Sequence, residues 1–331
     1  MRYILIWLNL PGFLALSLST PRNFPVESAT SNSNPSYPLS VERVLEFERN
    51  GHICTRCLLE DSEVKSVKQT VESAFLLLEP DAWRQSARVM LEGVEDDFGL
   101  PLVKNFEDAA DCRAVLEEHD VELPFLQAMN LWRNDPKVEA IVRKFGKTAA
   151  QLLGVESVRL YQDSVFYKRV DDGPTRWHSD LHMSPLDTNS MVTMWLALDH
   201  VPSQEDGGSA LTFASGSHRD FALAFHYDPR DETNDLTERY AEALCDHGEL
   251  RPGDATWHHG WTLHSSPPNE LDSPRLAFTV SFIADGARIL GAEALKSGET
   301  IDDEDRASYE DWLCDLEPGA RAEHRLLPVV C

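Results

Sequence analysis

The stretch Val158–Lys168, VRLYQDSVFYK, marks a change in the character of this 331-residue chain. β-branched and aromatic residues dominate it, and such residues favour a half-buried strand. Before it, from residue 41 to about residue 154, apolar residues recur with the spacing of helices. After it come four more short runs with strand character, at residues 191–198, 209–213, 254–258 and 276–283. The sequence therefore predicts a helical first part and a β-rich second part.

Helices are predicted at four places before this change. The apolar spacing predicts one helix over Val41–Asn50, a second that begins at Asp61, a third that begins at Pro80, and a fourth over residues 136–154. The later strands are separated by turns rich in Gly, Pro and Asp, and no Gly-rich phosphate loop follows any of them. This order predicts an antiparallel barrel or double sheet and gives no support for nucleotide binding.

The composition and the N-terminus restrict partners and location. A formal net charge of −26 disfavours nucleic acid and anionic membranes as partners, because both repel an acidic protein. Residues 1–19 begin with one Arg and an interrupted apolar run, which predicts a targeting signal and no stable membrane span in the mature chain. Residues 20–40 are predicted to be a disordered linker before one domain over 41–331. We expect the secretory pathway or an organelle, with the cytoplasm as the alternative.

Two features have no function that the sequence can assign. Cys54 and Cys57 form CTRC, the spacing of a thiol redox site or half a zinc site, but no second CxxC accompanies them. A structural role is therefore favoured, and the pairing of the six cysteines stays open. Residues 220–247 interrupt the strands with polar and acidic residues, and one helix is expected there over 236–244. Such an insertion is either a cover over an active site or a surface elaboration.

Residues 176–183, RWHSDLHM, form the first candidate for metal binding. In an extended chain, residues two apart face the same way, so His178, Asp180 and His182 would share one face. Non-haem Fe(II) oxygenases bind iron through two histidines and one carboxylate, and leave the other positions open. A further ligand must come from elsewhere in the chain, and the candidates are His218, His258, His259 and His264.

The surroundings of His264 are the most informative of these. Arg275 follows eleven residues later, at the start of an apolar strand, so a hairpin would bring both residues to one pocket. Arginine offers a rigid charged fork that fits a carboxylate through two hydrogen bonds. The sequence therefore predicts an anionic cosubstrate beside a metal.

The order of these motifs resembles that of the phytanoyl-CoA dioxygenase family, over roughly residues 41–290. The resemblance rests on HxD at 178–180, W-x-A-x-D-H at 195–200, GGS at 207–209, GSH at 216–218, and His264 and Arg275 eleven apart. It implies a mainly β, α+β protein, whose double-stranded β-helix (a cupin-like jelly roll) has an N-terminal helical region packed around it. It also implies His178, Asp180 and His264 as iron ligands and Arg275 as the partner of the distal carboxylate of 2-oxoglutarate. Ser266, Gln162, Trp195 and Lys168 match further positions around the cosubstrate, and His182 matches no ligand.

By the same resemblance the protein is an Fe(II)- and 2-oxoglutarate-dependent dioxygenase. It would use O2 to hydroxylate a small-molecule or lipid-like substrate and release succinate and CO2. Related iron halogenases have Gly or Ala in place of the carboxylate, so Asp180 favours hydroxylation. The family's Pro before GSH is replaced here by Ala214-Ser215, and residues 220–247 match no well-known member, so no substrate can be carried over. The alternatives are a catalytically inactive binding protein of the same fold and a zinc hydrolase with the same ligands.

Overall fold

The computed structural model describes residues 39–91, 107–223, 226, 236–297 and 306–331. The predicted targeting signal and all of the predicted linker except its last two residues lie outside this part of the chain. The described helices are α1 (Val41–Asn50), α2 (Asp61–Leu91), α3 (Ala109–Glu118), α4 (Pro136–Arg143), α5 (Gly146–Leu153), α6 (Leu236–Arg239), α7 (Ala292–Ser297) and α8 (Arg306–Leu313). Within these residues, no helix has the length and hydropathy needed to span a membrane.

Antiparallel strands form the rest of the fold, and two of them lie within the part of the chain that was predicted to be helical. They are β1 (His52–Thr55), β2 (Leu126–Met129), β3 (Val158–Lys168), β4 (Thr175–His178), β5 (Leu186–Asp187), β6 (Met191–Ala197), β7 (Thr212–Ala214), β8 (Leu244–Cys245), β9 (Ala255–His259), β10 (His264–Ser266), β11 (Arg275–Ala284) and β12 (Arg288–Ile289). A six-stranded sheet has the order β1-β9-β6-β11-β3-β2, a four-stranded sheet the order β4-β10-β7-β8, and β12 pairs with β5. This is the antiparallel double sheet that the sequence predicts.

The helix ends follow the local signals in the sequence. The Ser40 side chain accepts a hydrogen bond from the backbone of Arg43 and caps α1, which ends at Gly51 in the left-handed conformation (φ 79°). Asp135 caps α4 in the same way, through the backbone N–H of Lys137. The single helix predicted over 136–154 is two helices, because the chain breaks between α4 and α5, but it does end at the left-handed Gly154.

The prediction that Pro80 starts a new helix is wrong, because α2 continues through it from Asp61 to Leu91. Proline inside a helix removes one backbone hydrogen bond and costs about 3 kcal/mol. Buried side chains line the same helix on both sides of the proline: Val64, Val67, Val71, Phe75, Ala82, Trp83, Ala87 and Leu91. Each large apolar side chain among them contributes about 1.5–3 kcal/mol on burial. The sum of these contributions outweighs the cost of the hydrogen bond lost at Pro80.

The central strand β11 separates the core from a cavity between the sheets. Its even-numbered residues, Leu276, Phe278, Val280 and Phe282, are buried in the cluster that also contains α2. The odd-numbered residues Arg275, Thr279 and Ser281 line the cavity instead. Because side chains alternate between the two faces of a strand, β11 has one apolar face toward the core and one polar face toward the cavity.

The insertion differs from its prediction. The helix expected over 236–244 covers only Leu236–Arg239, and Leu244–Cys245 is strand β8, paired with β7. Leu236 and Tyr240 bury their side chains against Ala214 and Leu263. The backbone N–H of Ser215 then donates to the carbonyl of Ala243 (2.8 Å), so the chain joins the sheet rather than continuing as a helix. The strand expected over 209–213 is likewise shorter, at Thr212–Ala214.

Gly253, in the turn before β9, lies close to Leu59 and Val64, and a substitution there tests how tight this contact is. Its φ is +93°, and an added Cβ would lie 2.6 Å from the carbonyl oxygen of Leu59 and 2.8 Å from Val64. Gly286 is the matched control, because it also has a positive φ (+107°) but nothing within 4 Å of an added Cβ. We expect Gly253→Ala to lower the free energy of unfolding by about 2–4 kcal/mol and Gly286→Ala by about 1–2 kcal/mol, measured by urea denaturation. Equal losses would mean that the contact between this turn and Leu59 is not tight.

Candidate metal centre

Two paired strands bring two histidines together. His178 ends β4, His264 begins β10, and the two residues are direct cross-strand partners, with ring centroids 4.1 Å apart. Asp180 follows two residues after His178. One ligand atom from each of the three side chains lies within 4.8 Å of the others, a spacing that can hold a metal ion. The structure therefore brings together the three residues that the sequence predicts as ligands.

The geometry that presents Asp180 differs from the extended chain predicted through residue 181. The strand ends at His178, and Asp180–Met183 is a turn of 3-10 helix. This turn packs on Gly260, whose carbonyl accepts a hydrogen bond from the backbone N–H of Leu181 (2.9 Å). His182 consequently lies in the turn and not on the strand face that carries His178.

Hydrogen bonds orient both imidazoles toward one point. The Nδ1–H of His178 donates to the carbonyl of Arg176 (2.8 Å), and the Nδ1–H of His264 donates to the carbonyl of Thr262 (3.0 Å). Each Nε2 therefore keeps its lone pair and faces Asp180 Oδ1, at 3.9 Å from His178 and 3.5 Å from His264. Burial lowers the pKa of His264 well below its ordinary value, so its ring is neutral at pH 7. Two imidazoles and one carboxylate on one side suit a divalent metal with open positions.

The second oxygen of Asp180 is held by two residues from the large sheet. Thr193 on β6 donates its hydroxyl to Oδ2 at 2.6 Å, and His258 on β9 donates Nε2–H to the same oxygen at 3.1 Å. Burial alone would raise the pKa of Asp180, but His258, which donates a hydrogen bond to it, holds the pKa of this carboxyl well below its usual range. Oδ2 is thus occupied, and Oδ1 is the oxygen left to bind a metal.

The other candidate ligands make different contacts. His258 supports Asp180 through a hydrogen bond. His218 donates Nε2–H to the carbonyl of Glu48 (3.2 Å), and His259 Nδ1 accepts from the backbone N–H of Trp261 (3.1 Å). Among the described residues, neither His259 nor Trp261 lines the cavity. Thr193 is a contact that the sequence does not reveal, because its only signal is a polar residue within an apolar strand.

Arg275 lies at another side of the same cavity. It is 5% exposed, its guanidinium lies 5.0 Å above the ring of Trp195, and it donates to the hydroxyl (3.1 Å) and the carbonyl (2.8 Å) of Ser209. Burial lowers the pKa of Arg275 to about 10, so it stays charged at pH 7. Within the described part of the chain, no carboxylate lies within 4 Å of it. A buried guanidinium without an ionic partner is suited to an anionic ligand.

Lys168 is the cross-strand partner of Arg275 and is fully buried. Its ammonium donates to the carbonyl of Gly173 (2.7 Å) and to the hydroxyl of Ser266 (3.3 Å). Burial and the neighbouring Arg275 lower the pKa of Lys168 to about 7. Ser266 lines the cavity, whereas Lys168 does not. Lys168 therefore reaches the cavity only through Ser266, and in its protonated form it adds positive potential to this end of the cavity.

One cavity of about 560 Å³ joins these groups. Trp195 and Gln162 line it, and the side-chain oxygen of Gln162 has no hydrogen-bond partner among the described residues. Apolar residues form other parts of its wall: Val89, Met90, Phe125, Phe166, Met183 and Leu211. Two of them come from α2, so the helical region completes the cavity that the sheets open.

The family follows from a direct comparison. Residues 47–277 match the model of the phytanoyl-CoA dioxygenase (PhyH) family, which is well over half of the chain. The chain belongs to the phytanoyl-CoA dioxygenase family. The three residues of the candidate metal centre and Arg275 all lie within the matched range. A search of the curated proteins found no match to this member of the family.

Solved structures agree with the fold. The non-haem alpha-ketoglutarate-dependent carbocyclase SnoK from nogalamycin biosynthesis is 21% identical, with a TM-score of 0.58 over 89% of this chain and 97% of its own. The epimerase SnoN from the same biosynthesis, in complex with Fe3+ and alpha-ketoglutarate, is 18% identical, with a TM-score of 0.55 over 88% and 98%. EctD from S. alaskensis with 2-oxoglutarate and 5-hydroxyectoine is 17% identical, with a TM-score of 0.51 over 80% and 82%. These likenesses confirm the predicted jelly-roll core.

The hydrogen bond from Thr193 to Asp180 predicts an effect on metal affinity. Removing a group that orients a metal ligand weakens metal binding by about 10- to 100-fold. We expect Thr193→Val to raise the dissociation constant for Mn2+ by that factor, measured by calorimetric titration. Thr256→Val is the matched control, because the Thr256 hydroxyl is buried on the adjacent strand β9 without a hydrogen-bond partner in the described residues. Equal affinities of the two variants would show that Thr193 does not position Asp180.

Proposed function

We propose that the protein is an Fe(II)- and 2-oxoglutarate-dependent oxygenase that hydroxylates a small, largely apolar molecule. One observation carries the proposal. A three-residue centre with open positions shares a cavity with a buried, charged Arg275 that has no carboxylate within 4 Å among the described residues. A dicarboxylate that chelates a metal at one end needs a metal site for that end and a positively charged group for its far carboxylate. This cavity contains both.

Each residue then has a defined task. His178, His264 and Asp180 Oδ1 would hold Fe(II), while Thr193 and His258 keep Asp180 Oδ2 away from the ion. Arg275 would pair with the distal carboxylate of 2-oxoglutarate, and Ser266 would be a second donor to it. Lys168 donates a hydrogen bond to the hydroxyl of Ser266. Gln162 and Trp195 line the cavity where the cosubstrate would lie.

The remaining task of this chain is placement. When bound, iron and 2-oxoglutarate use O2 to oxidise a C–H bond of the substrate to an alcohol, with succinate and CO2 as products. The apolar wall from Met90, Phe125, Phe166 and Leu211 would exclude water and hold the substrate near the metal. Asp180 keeps the carboxylate that a hydroxylase requires. A zinc hydrolase with the same three ligands would leave Arg275 without a role.

Succinate formation tests the proposal directly. Purified protein with Fe(II), O2 and 2-oxoglutarate, assayed alone and with a panel of apolar small molecules, should form succinate, and His178→Ala should abolish it. Arg275→Ala should raise the concentration of 2-oxoglutarate needed for half-maximal rate by about 10- to 100-fold, because a charge-assisted pair is lost. Its affinity for iron should stay nearly unchanged.

Arg288→Ala is the control for this experiment, since Arg288 is exposed and binds the carbonyl of Gly319 at a distance from the cavity. It should behave as wild type. An unchanged 2-oxoglutarate requirement in Arg275→Ala would contradict the proposed carboxylate site. Binding of iron and 2-oxoglutarate with no succinate from any compound of the panel would favour the inactive binding protein instead.

A further inference from the structure

A second cluster of metal-binding side chains lies outside the candidate metal centre. It consists of His52 on β1, Cys245 on β8, and His247 just after β8. One nitrogen or sulfur atom from each side chain lies within 4.8 Å of the others. Nothing in the proposed oxygenase reaction uses these three residues, so a role for this cluster does not depend on that function.

The three side chains form a chain of contacts with His247 in the middle. His52 Nδ1 lies 2.9 Å from His247 Nε2, and His247 Nδ1 lies 3.7 Å from the sulfur of Cys245. These two contacts use opposite nitrogens of His247, and one ion can bind only one of them. With one atom from each side chain, the three ligand atoms lie within 4.8 Å of one another. An ion with bonds of about 2.0–2.3 Å places its ligand atoms about 3.3–3.6 Å apart, so closure around it needs side-chain shifts of about an ångström. The cluster is therefore close to a ligating arrangement.

A residue that departs from the family pattern orients the first ligand. The hydroxyl of Ser215 lies 2.8 Å from His52 Nε2, which leaves Nδ1 directed at His247. Ser215 belongs to the Ala214-Ser215 pair that replaces the family's Pro before GSH. A hydrogen bond on the far nitrogen of an imidazole is the usual support of a metal-binding histidine.

The backbone holds His247 in an uncommon conformation. Its φ is +57°, in the left-handed region that non-glycine residues seldom adopt. The guanidinium of Arg56 donates to the carbonyl of His247 (2.6 Å), and the side chain of Asp246 accepts from the backbone N–H of Gly248 (2.9 Å). Such conformations cost free energy and persist where the surroundings fix them. Here the result is an imidazole directed at His52 and Cys245.

Burial keeps both imidazoles available as ligands. His52 is 1% exposed, and burial lowers its pKa to about 3. Burial likewise lowers the pKa of His247 to about 4. Both rings are therefore neutral at pH 7, and each has one lone pair. The proton shared between His52 Nδ1 and His247 Nε2 moves to the opposite nitrogen of its ring when both of these nitrogens bind one ion. Burial raises the pKa of Cys245, so its thiol would lose a proton only on binding a metal.

We propose that His52, Cys245 and His247 form a second metal site, for a borderline-soft divalent ion of the Zn2+ class. Two imidazoles and a thiolate suit such an ion and not the hard cations Mg2+ or Ca2+. Binding forms two metal–nitrogen bonds and one metal–sulfur bond, and the thiol proton passes to solvent. Three protein ligands leave the fourth position for water.

The position of this site gives it a structural consequence. Phe213 stacks on His52 at 4.7 Å, and its ring centroid lies 6.1 Å from that of His264. An ion bound here would tie β8, where the insertion over 220–247 ends, to β1 at the start of the domain. It would also hold the ring of Phe213, which contacts His264 of the candidate metal centre.

Cobalt substitution of the full-length protein separates the two sites. After removal of metals with a chelator, the protein is titrated with Co2+ and its absorption is recorded. Only the second site contains a thiolate, so only it gives a thiolate-to-cobalt charge-transfer band. Wild type should bind two equivalents and show the band. His178→Ala should bind one equivalent and keep the band.

Variants of the second site complete the experiment. Cys245→Ser and His247→Asn should each bind one equivalent and lose the band; asparagine suits the left-handed backbone, so this variant keeps the fold. Cys314→Ser is the control, because Cys314 is exposed and outside the cluster, and it should match wild type. A single equivalent in wild type without the band, or a band that persists in Cys245→Ser, would overturn the second site.

Discussion

The antiparallel pairing of His264 with His178 is the constraint on which the candidate metal centre depends. Side chains alternate between the two faces of a strand, so a slip of one residue would turn one imidazole away from the other. β10 is only three residues long. Its neighbours hold its register: β7 pairs on its other side at Phe213, and the backbone N–H of Leu263 donates to the hydroxyl of Ser217 (2.9 Å). Packing around a short strand thus sets the distance between two ligands.

Charge is the second constraint, and it acts at Arg275. This residue and Lys168 face each other across β11 and β3, both buried, and the described residues place no carboxylate within 4 Å of either. Burial, and after it repulsion from the neighbouring Arg275, lowers the pKa of Lys168. A bound dianion would relieve that repulsion. The proposed cosubstrate therefore meets a pocket whose stability improves when an anion enters it.

Much of this arrangement could be predicted from the sequence, because its signals are local or belong to a family pattern. Runs of apolar, β-branched and aromatic residues located β3, β6, β9 and β11, and the resemblance to the family pattern placed His178, Asp180, His264 and Arg275 in one site. Helix boundaries were less predictable. Pro80 favours a break by its own chemistry, but the apolar stripe on both sides of it continues α2. The cost of one hydrogen bond could not be weighed against tertiary packing that the sequence does not display.

Contacts between distant residues were the part that the sequence could not predict. Thr193 and His258 reach Asp180 only after β6 and β9 have paired. His52 lies almost two hundred positions before Cys245 and His247, and the insertion that contains these two was expected to be either a lid or a surface loop. The targeting signal over residues 1–19 and the linker over 20–40 stay predictions.

The central claim is that one cavity binds a metal through His178, Asp180 and His264 and a dicarboxylate through Arg275. Anaerobic titration of the Fe(II)-loaded protein with 2-oxoglutarate tests it most directly, because chelation of Fe(II) by the keto acid gives a visible charge-transfer absorption. We expect a saturable band in wild type, no band in Asp180→Ala, and in Arg275→Ala a band that appears only at much higher 2-oxoglutarate concentration. Wild-type protein that binds Fe(II) but gives no band, or a band of equal affinity in Arg275→Ala, would contradict this account of the site.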